Sequence, residues 1–323
     1  MARFLNDNRC GFYTLVLICT FALLIFGCGD EGEKEDWSID RLTTFGNSPK
    51  FSPDGSMVVF GGDDGESEGI WIYTFGSGSE ILYEGAFNYD YAWSPGNDEI
   101  AFSEPGGTLR KLWIINLDGN ITLLIENGRN PSWSPDGSEI VYQDGSGTGV
   151  YMISVSGGSP ALVSSYGEIP RWAPDGENIA FRTGSGANYL FHIYNIDSGT
   201  ITQLNTGGAN FNWSPDGNSL VFEIYESVSS TGYYFNIRRI EITGYSDELL
   251  WQGGTDPKWS PIGGSIAFRS ISGFSGSGLL LIPSNGGAGE QITNNGYLPS
   301  FGPNGERVVF SRTENGIWLA TQN

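Results

Sequence analysis

The chain has 323 residues and a formal charge of −21, so it lacks the basic stripe that neutralising a phosphate backbone requires, and nucleic acid is excluded as a partner. All three cysteines lie before residue 29, which leaves the body of the chain without a disulfide or a thiolate zinc site. Ten Trp, fifteen Tyr, nineteen Phe and 48 Gly describe an aromatic-rich β protein with many turns.

The N-terminal stretch carries Arg3 and Arg9 against Asp7, and an apolar run from Leu15 to Phe26 follows. Twelve residues are too few to span a bilayer, which takes about 20. Residues 1–27 therefore read as a secretory signal with a charged start and a short apolar centre. The signal ends in Ile25-Phe26-Gly27-Cys28, which resembles the bacterial lipobox. That resemblance implies lipidation of Cys28, contact with the membrane through the lipid anchor only, and, with Gly29 rather than Asp beside the cysteine, the outer membrane. Residues 28–36 carry Asp30, Glu31, Glu33, Glu35 and Asp36 against Lys34 alone. Like charges extend such a segment and it has nothing apolar to fold around, so it is expected to be a tether.

From Trp37 onward one unit repeats. Lys50-Phe51-Ser52-Pro53-Asp54-Gly55 returns with its aromatic at Trp93, Trp133, Trp172, Trp213, Trp259 and Phe301, at spacings of 42, 40, 39, 41, 46 and 42 residues. Short strands at this period are the signature of propeller blades with four strands each, and seven copies predict seven blades. In the turn, Pro presets φ near −65°, Asp bonds back to the local backbone and Gly permits the exit. An apolar strand follows each turn, as in Val58-Val59-Phe60 and Ile266-Ala267-Phe268. The unit is thus a hairpin whose leading aromatic can wedge between neighbouring sheets.

The phase of the repeat is informative at its ends. The chain opens on a lone fourth strand, Ile39 to Thr43, and closes on a third strand, Ile317 to Thr321. Each end supplies what the other lacks. The fold class expected is therefore all-β, a seven-bladed β-propeller over 37–323 whose ring is closed by the N-terminal strand completing the last blade. Blade five alone carries an insertion, Tyr225 to Tyr233.

Trp133-Ser134-Pro135-Asp136-Gly137 followed by Ile140-Val141-Tyr142, repeated at this period, resembles the TolB-like (WD40-like) β-propeller family. Blade six departs from the pattern with Ile262 in place of the turn Asp, which argues against a shared catalytic or metal role for that position. The resemblance implies propeller-mediated protein binding at the bacterial cell envelope, with envelope proteins, another lipoprotein among them, as partners. Similar propellers occur in oligogalacturonate lyases, whose metal site uses several histidines. This chain has His192 alone, inside the apolar run Leu190 to Tyr194, and no Gly-x-Ser-x-Gly elbow with a following Asp and His. The expectation is a non-enzymatic protein-binding scaffold without cofactor or metal. A glycan-binding propeller is the alternative, and a lyase or hydrolase working through carboxylates is a lesser one.

Two sets of residues are candidates for binding. The loops opposite the Ser-Pro-Asp-Gly turns vary most, and they carry Phe87, Tyr89, Asp90, Tyr225, Tyr233, Phe274 and Tyr297, with acidic neighbours at Asp63, Asp64, Glu66, Glu68 and Glu226. Asp63-Asp64-Gly65-Glu66 offers oxygen ligands but lacks EF-hand spacing, so no metal is expected there. The second set is one register of the innermost strand: Lys50, Ala92, Ser132, Arg171, Asn212, Lys258 and Ser300. Lys50, Arg171 and Lys258 either pair with acids such as Glu168 or Asp256 or form an anion site.

Overall fold

The computed structural model describes residues 37–86, 90–104, 110–147, 149–186, 188–228, 232–271 and 278–323. Cys28 and the rest of 1–36, together with Phe87, Tyr89 and Phe274, lie outside them. The described residues form twenty-eight strands in seven antiparallel four-stranded sheets.

Blade 1 is β2 (Asn47–Phe51), β3 (Met57–Asp63), β4 (Glu68–Thr74) and β5 (Gly78–Glu84); blade 2 is β6 (Tyr91–Trp93), β7 (Glu99–Glu104), β8 (Lys111–Asn116) and β9 (Ile121–Ile125). Blade 3 is β10 (Gly128–Trp133), β11 (Glu139–Asp144), β12 (Val150–Ser154) and β13 (Ala161–Ser164); blade 4 is β14 (Glu168–Trp172), β15 (Asn178–Thr183), β16 (Leu190–Asn195) and β17 (Ile201–Gln203). Blade 5 is β18 (Phe211–Trp213), β19 (Ser219–Val228), β20 (Gly232–Glu241) and β21 (Asp247–Gln252); blade 6 is β22 (Gly254–Trp259), β23 (Ser265–Ser270), β24 (Gly278–Pro283) and β25 (Glu290–Thr293). Blade 7 is β26 (Tyr297–Phe301), β27 (Arg307–Ser311) and β28 (Ile317–Gln322), completed on its outer edge by β1 (Trp37–Arg41).

The second strand of every blade is buried on both faces. Val58, Val59, Phe60, Ile179, Ala180, Phe181, Val308, Val309 and Phe310 are all without measurable exposure. Seven apolar clusters result, and each joins two adjacent blades. The Ser-Pro-Asp-Gly turns bond as their chemistry requires: Ser134 Oγ donates to Asp136 Oδ1 at 2.6 Å and the Ser138 amide donates to the same oxygen at 3.0 Å. Those donors hold the Asp136 carboxyl down to about 2. Turns of neighbouring blades also meet, since the Asp54 amide reaches Asn97 Oδ1 at 2.7 Å and Arg307 Nη2 reaches the Gly55 carbonyl at 2.8 Å.

The start of the innermost strand is irregular in a repeated way. Ser48, Asn130, Ile169, Asp256 and Leu298 have φ between 52° and 56°, and each precedes a proline, Pro49, Pro131, Pro170, Pro257 or Pro299. The pairing register shifts at each of these places. Proline cannot donate to the ladder, so it sits at a bulge where no donor is needed. In blades 2 and 5 Tyr91 and Phe211 take the proline's place, and the register there runs unbroken. Three residues before the proline stands Gly46, Gly128, Gly167, Gly254 or Gly296. A Cβ on Gly46 would come within 2.4 Å of the Phe60 ring, and one on Gly167 equally close to Phe181. The second-strand aromatic occupies that space.

β1 pairs with β28 from Trp37 opposite Gln322 to Arg41 opposite Trp318, and Trp37 and Ile39 pack on the apolar cluster between blades 6 and 7. The Trp37 indole also donates to Glu290 of blade 6. Ring closure is therefore built as the repeat phase predicts. Deleting residues 37–45 is expected to lower the melting midpoint by roughly 10 °C or more, since it bares the β28 edge and part of that cluster. An unchanged melting curve would refute closure by this strand.

Candidate functional site

The innermost strands of all seven blades surround a cavity of about 610 Å³. At the register before the repeated aromatic, side chains and carbonyls link one blade to the next in alternating ways. Trp93, Trp133 and Trp213 each donate their indole N–H to the carbonyl of the preceding blade's register residue: Lys50 at 3.2 Å, Ala92 at 3.0 Å and Arg171 at 3.0 Å. Elsewhere a short polar side chain serves as acceptor. The Trp172 amide donates to Ser132 Oγ at 3.0 Å, the Trp259 amide to Asn212 Oδ1 at 2.9 Å and the Phe51 amide to Ser300 Oγ at 3.2 Å. Four small and neutral members of the register, Ala92 included, are thus accounted for by blade-to-blade bonding.

The three cations of the register face the cavity. Lys50 Nζ donates to the Tyr91 carbonyl and lies 4.8 Å from the centre of the Tyr91 ring. Burial, and then the charges of Arg171 and Lys258, pull its pKa down to about 7 against the opposing effect of Asp90. Arg171 Nη1 donates to the adjacent Pro170 carbonyl at 3.0 Å, and burial lowers its pKa. Burial and Arg171 lower that of Lys258, with Asp256 and Glu223 pulling the other way. Ion pairing with Glu168 or Asp256 is not how these cations are held. Glu168 is taken by Arg182 at 3.1 Å, its cross-strand partner, and Asp256 accepts from Asn210 Nδ2 at 3.1 Å.

A second ring of polar groups supports the bulges. The amides of four of the five left-handed residues bond a side chain of the preceding blade: Asn130 to Asp90 Oδ2 at 2.6 Å, Ile169 to Gln143 Oε1 at 3.2 Å, Asp256 to Glu223 Oε2 at 2.7 Å, and Ser48 to Ser311 Oγ at 3.0 Å. Glu223 is 5% exposed, and burial pushes its pKa up to about 7 despite the donors it accepts.

The rim residues fall in several settings. Asp90 lines the cavity and bonds Ser103 Oγ at 2.8 Å as well as Asn130, so it braces the bulge. Tyr297 is half-buried between Asn47, which donates to its hydroxyl at 3.3 Å, and the Arg269 guanidinium. Tyr225 packs its ring 5.2 Å from Phe235 on the long β19–β20 hairpin, and Tyr233 lies on β20 opposite Ser227. Asp63, Asp64, Glu66 and Glu68 are exposed, and the first two accept amides of their own turn. Among the described residues no group of three His, Cys, Asp or Glu could hold a metal. His192 is 4% exposed, stacked on Phe181 and bonded to Thr183 Oγ1 at 2.9 Å, and burial lowers its pKa.

The model of the TolB beta propeller domain matches residues 35–212, over half of the chain. This chain belongs to the TolB β-propeller family. Solved structures share its fold at low identity. An oligogalacturonate lyase in complex with manganese is 15% identical over 88% of this chain and 93% of its own, with a TM-score of 0.72. A second oligogalacturonate lyase, from Vibrio parahaemolyticus, is 13% identical over the same shares, with a TM-score of 0.70. TolB from Acinetobacter baumannii is 18% identical over 85% of this chain and 78% of its own, with a TM-score of 0.52. No curated protein matches the chain.

In this TolB propeller the polar ring behind the bulges escaped the sequence reading, although its signal is there. Glycine five residues and proline two residues before the aromatic, as in Gly167-Glu168-Ile169-Pro170-Arg171-Trp172, mark each bulge. Gln143, Glu223 and Ser311 each directly follow a second-strand aromatic. The ring also makes stability depend on pH. Glu223 keeps a proton up to about pH 7 when folded and loses it above 4.5 when unfolded, so its contribution is present below 4.5 and is lost as pH rises to about 7. Lys50 acts in the opposite sense, restoring stability between about 7 and 10.5. The melting midpoint of Glu223→Gln is expected to change less between pH 4.5 and 7 than that of the wild type, as followed by circular dichroism. Parallel profiles would refute the assignment.

Proposed function

We propose that the chain is a non-enzymatic protein-binding scaffold at the bacterial cell envelope, held to the outer membrane through a lipidated Cys28 and extended from it by the acidic tether. The observation that carries this reading is the β19–β20 hairpin, whose strands run ten residues each where the other second strands run five to seven. The extra three or so residues lengthen the hairpin by roughly 10 Å. It is ordered by its own contacts: Arg238 bridges Glu226 at 3.1 Å and Asp247 at 2.8 Å, and Asn236 donates to Glu226 at 2.8 Å. Tyr225 and Phe235 give it an aromatic pair of the kind that anchors protein interfaces.

A glycan ligand is the second reading. It is favoured by a cavity lined by Tyr91 and Trp93 among Asn and Ser side chains, and by the fold shared with oligogalacturonate lyases.

Crosslinking in native membranes with the tagged full chain tests the first reading. One specific envelope protein is expected to be captured by the wild type and lost with Phe87→Ala, Tyr89→Ala and Tyr225→Ala combined, while Cys28→Ala moves the chain to the soluble fraction. Capture that ignores the rim changes, or no specific capture, would overturn the scaffold reading. Retention on a glycan array would then favour the second.

A further inference from the structure

The cavity concentrates positive charge in an acidic molecule. Lys50, Arg110, Arg129, Arg171 and Lys258 line it against the single carboxylate of Asp90, whereas the whole chain has 16 basic and 37 acidic residues. Among the described residues none of the five cations has a carboxylate within 4.0 Å. The nearby acids are turned to other donors. Asp90 accepts from Ser103 and Asn130, Glu223 from Asn210 and the Asp256 amide, and Asp256 from Asn210 and Thr255.

Lys50 and Arg171 donate to backbone carbonyls, of Tyr91 and Pro170, but the fold uses the other cations less. Lys258 Nζ has no hydrogen bond among the described residues, and Arg129 Nε is buried without a partner. The blade-to-blade bonds add a second, independent bias. Ser132, Asn212 and Ser300 spend acceptor oxygens on the neighbouring amides, which leaves the two hydroxyl protons and the Asn212 amide as donors at the cavity wall. Lys50, Arg171 and Lys258 come from blades 1, 4 and 6, so they surround the axis in a nearly threefold array.

We propose that the cavity binds a compact multivalent oxyanion, inorganic phosphate or a small polycarboxylate, between Lys50, Arg171 and Lys258, with the donors of Ser132, Asn212 and Ser300 completing its shell. Charge-assisted bonds from several sides in a half-enclosed site are the strong kind, and Arg171 offers a planar fork to two oxygens at once. This goes beyond the scaffold reading, because the proposed ligands all lie on the innermost strands and neither Tyr225 nor Tyr297 is among the cavity-lining residues.

Calorimetry on the full chain tests it with two probes, sodium citrate and inorganic phosphate, at low salt and at about pH 6 and about pH 8. Binding of one or both is expected, citrate alone marking a carboxylate site and phosphate alone a phosphate site. Affinity should fall with added salt. Corrected for the anion's own ionisation, it should also fall toward the higher pH, where Lys50 loses its charge and Glu223 gains one, each with a pKa of about 7. Arg171→Met and Lys258→Met should each weaken binding by about tenfold or more. Asn212→Asp separates binding from folding, since it retains the oxygen that holds the Trp259 amide but replaces the donor with a charge; it should abolish binding with the melting midpoint little changed. Lys258→Met should melt no lower than the wild type. Failure of both anions to bind at millimolar concentration, binding indifferent to Arg171→Met and Asn212→Asp, or a collapse of stability in Lys258→Met would each overturn the proposal.

Discussion

The rest of the molecule depends on apolar burial at blade junctions. No blade has a core of its own: the cluster of Phe51, Phe60 and Trp71 in blade 1 is completed by Val309, Ile317 and Leu319 of blade 7, and the other six junctions are built alike. Burying one such side chain contributes about 1.5–3 kcal/mol, so an open ring would expose two half-clusters at once. That constraint explains why the N-terminal strand is tied into blade 7, away from its sequence neighbours. Closure makes every junction equivalent in kind.

Closure also fixes what the centre can be. Seven innermost strands converge, and their backbones must be paired or otherwise satisfied. The left-handed residue before proline frees one amide per bulge, and side chains such as Gln143, Glu223 and Ser311 of the preceding blade accept it. At the next level inward, Ser132, Asn212 and Ser300 accept the amides of Trp172, Trp259 and Phe51. Both rings consume acceptors. What remains facing the cavity is weighted toward donors and cations.

Much of this was legible in the chain. The turn and the apolar strand after it announced blade number, and the phase of the two ends announced the closing strand, because a period and a phase survive any degeneration of single residues. Ile262 in the turn of blade six changed nothing in the fold. Less legible were pairings that depend on which face a side chain takes. Glu168 is three residues from Arg171 in sequence, yet the bulge at Ile169 sets it opposite Arg182, and the ion pair forms there. Asp90 and Tyr297 read as loop residues, but strand direction turns both toward neighbouring blades, where they brace the ring. The insertion in blade five was visible as extra length; that it continues the β19–β20 ladder residue for residue depends on a register no sequence count provides.

The contrast between an acidic exterior and a cationic centre has a consequence for selectivity. A net charge of −21 repels extended polyanions, whose many charges feel the whole surface at once, and that repulsion acts within about a Debye length of 8–10 Å. A small anion feels the surface far less and, once between the inner strands, is enclosed by low-dielectric walls that sharpen the field of Lys50, Arg171 and Lys258. Burial first, and then repulsion from Arg171 and Lys258, bring the Lys50 pKa down to about 7. An anion that relieves the repulsion recovers the stability that the repulsion costs, so binding and folding are linked through the same three side chains.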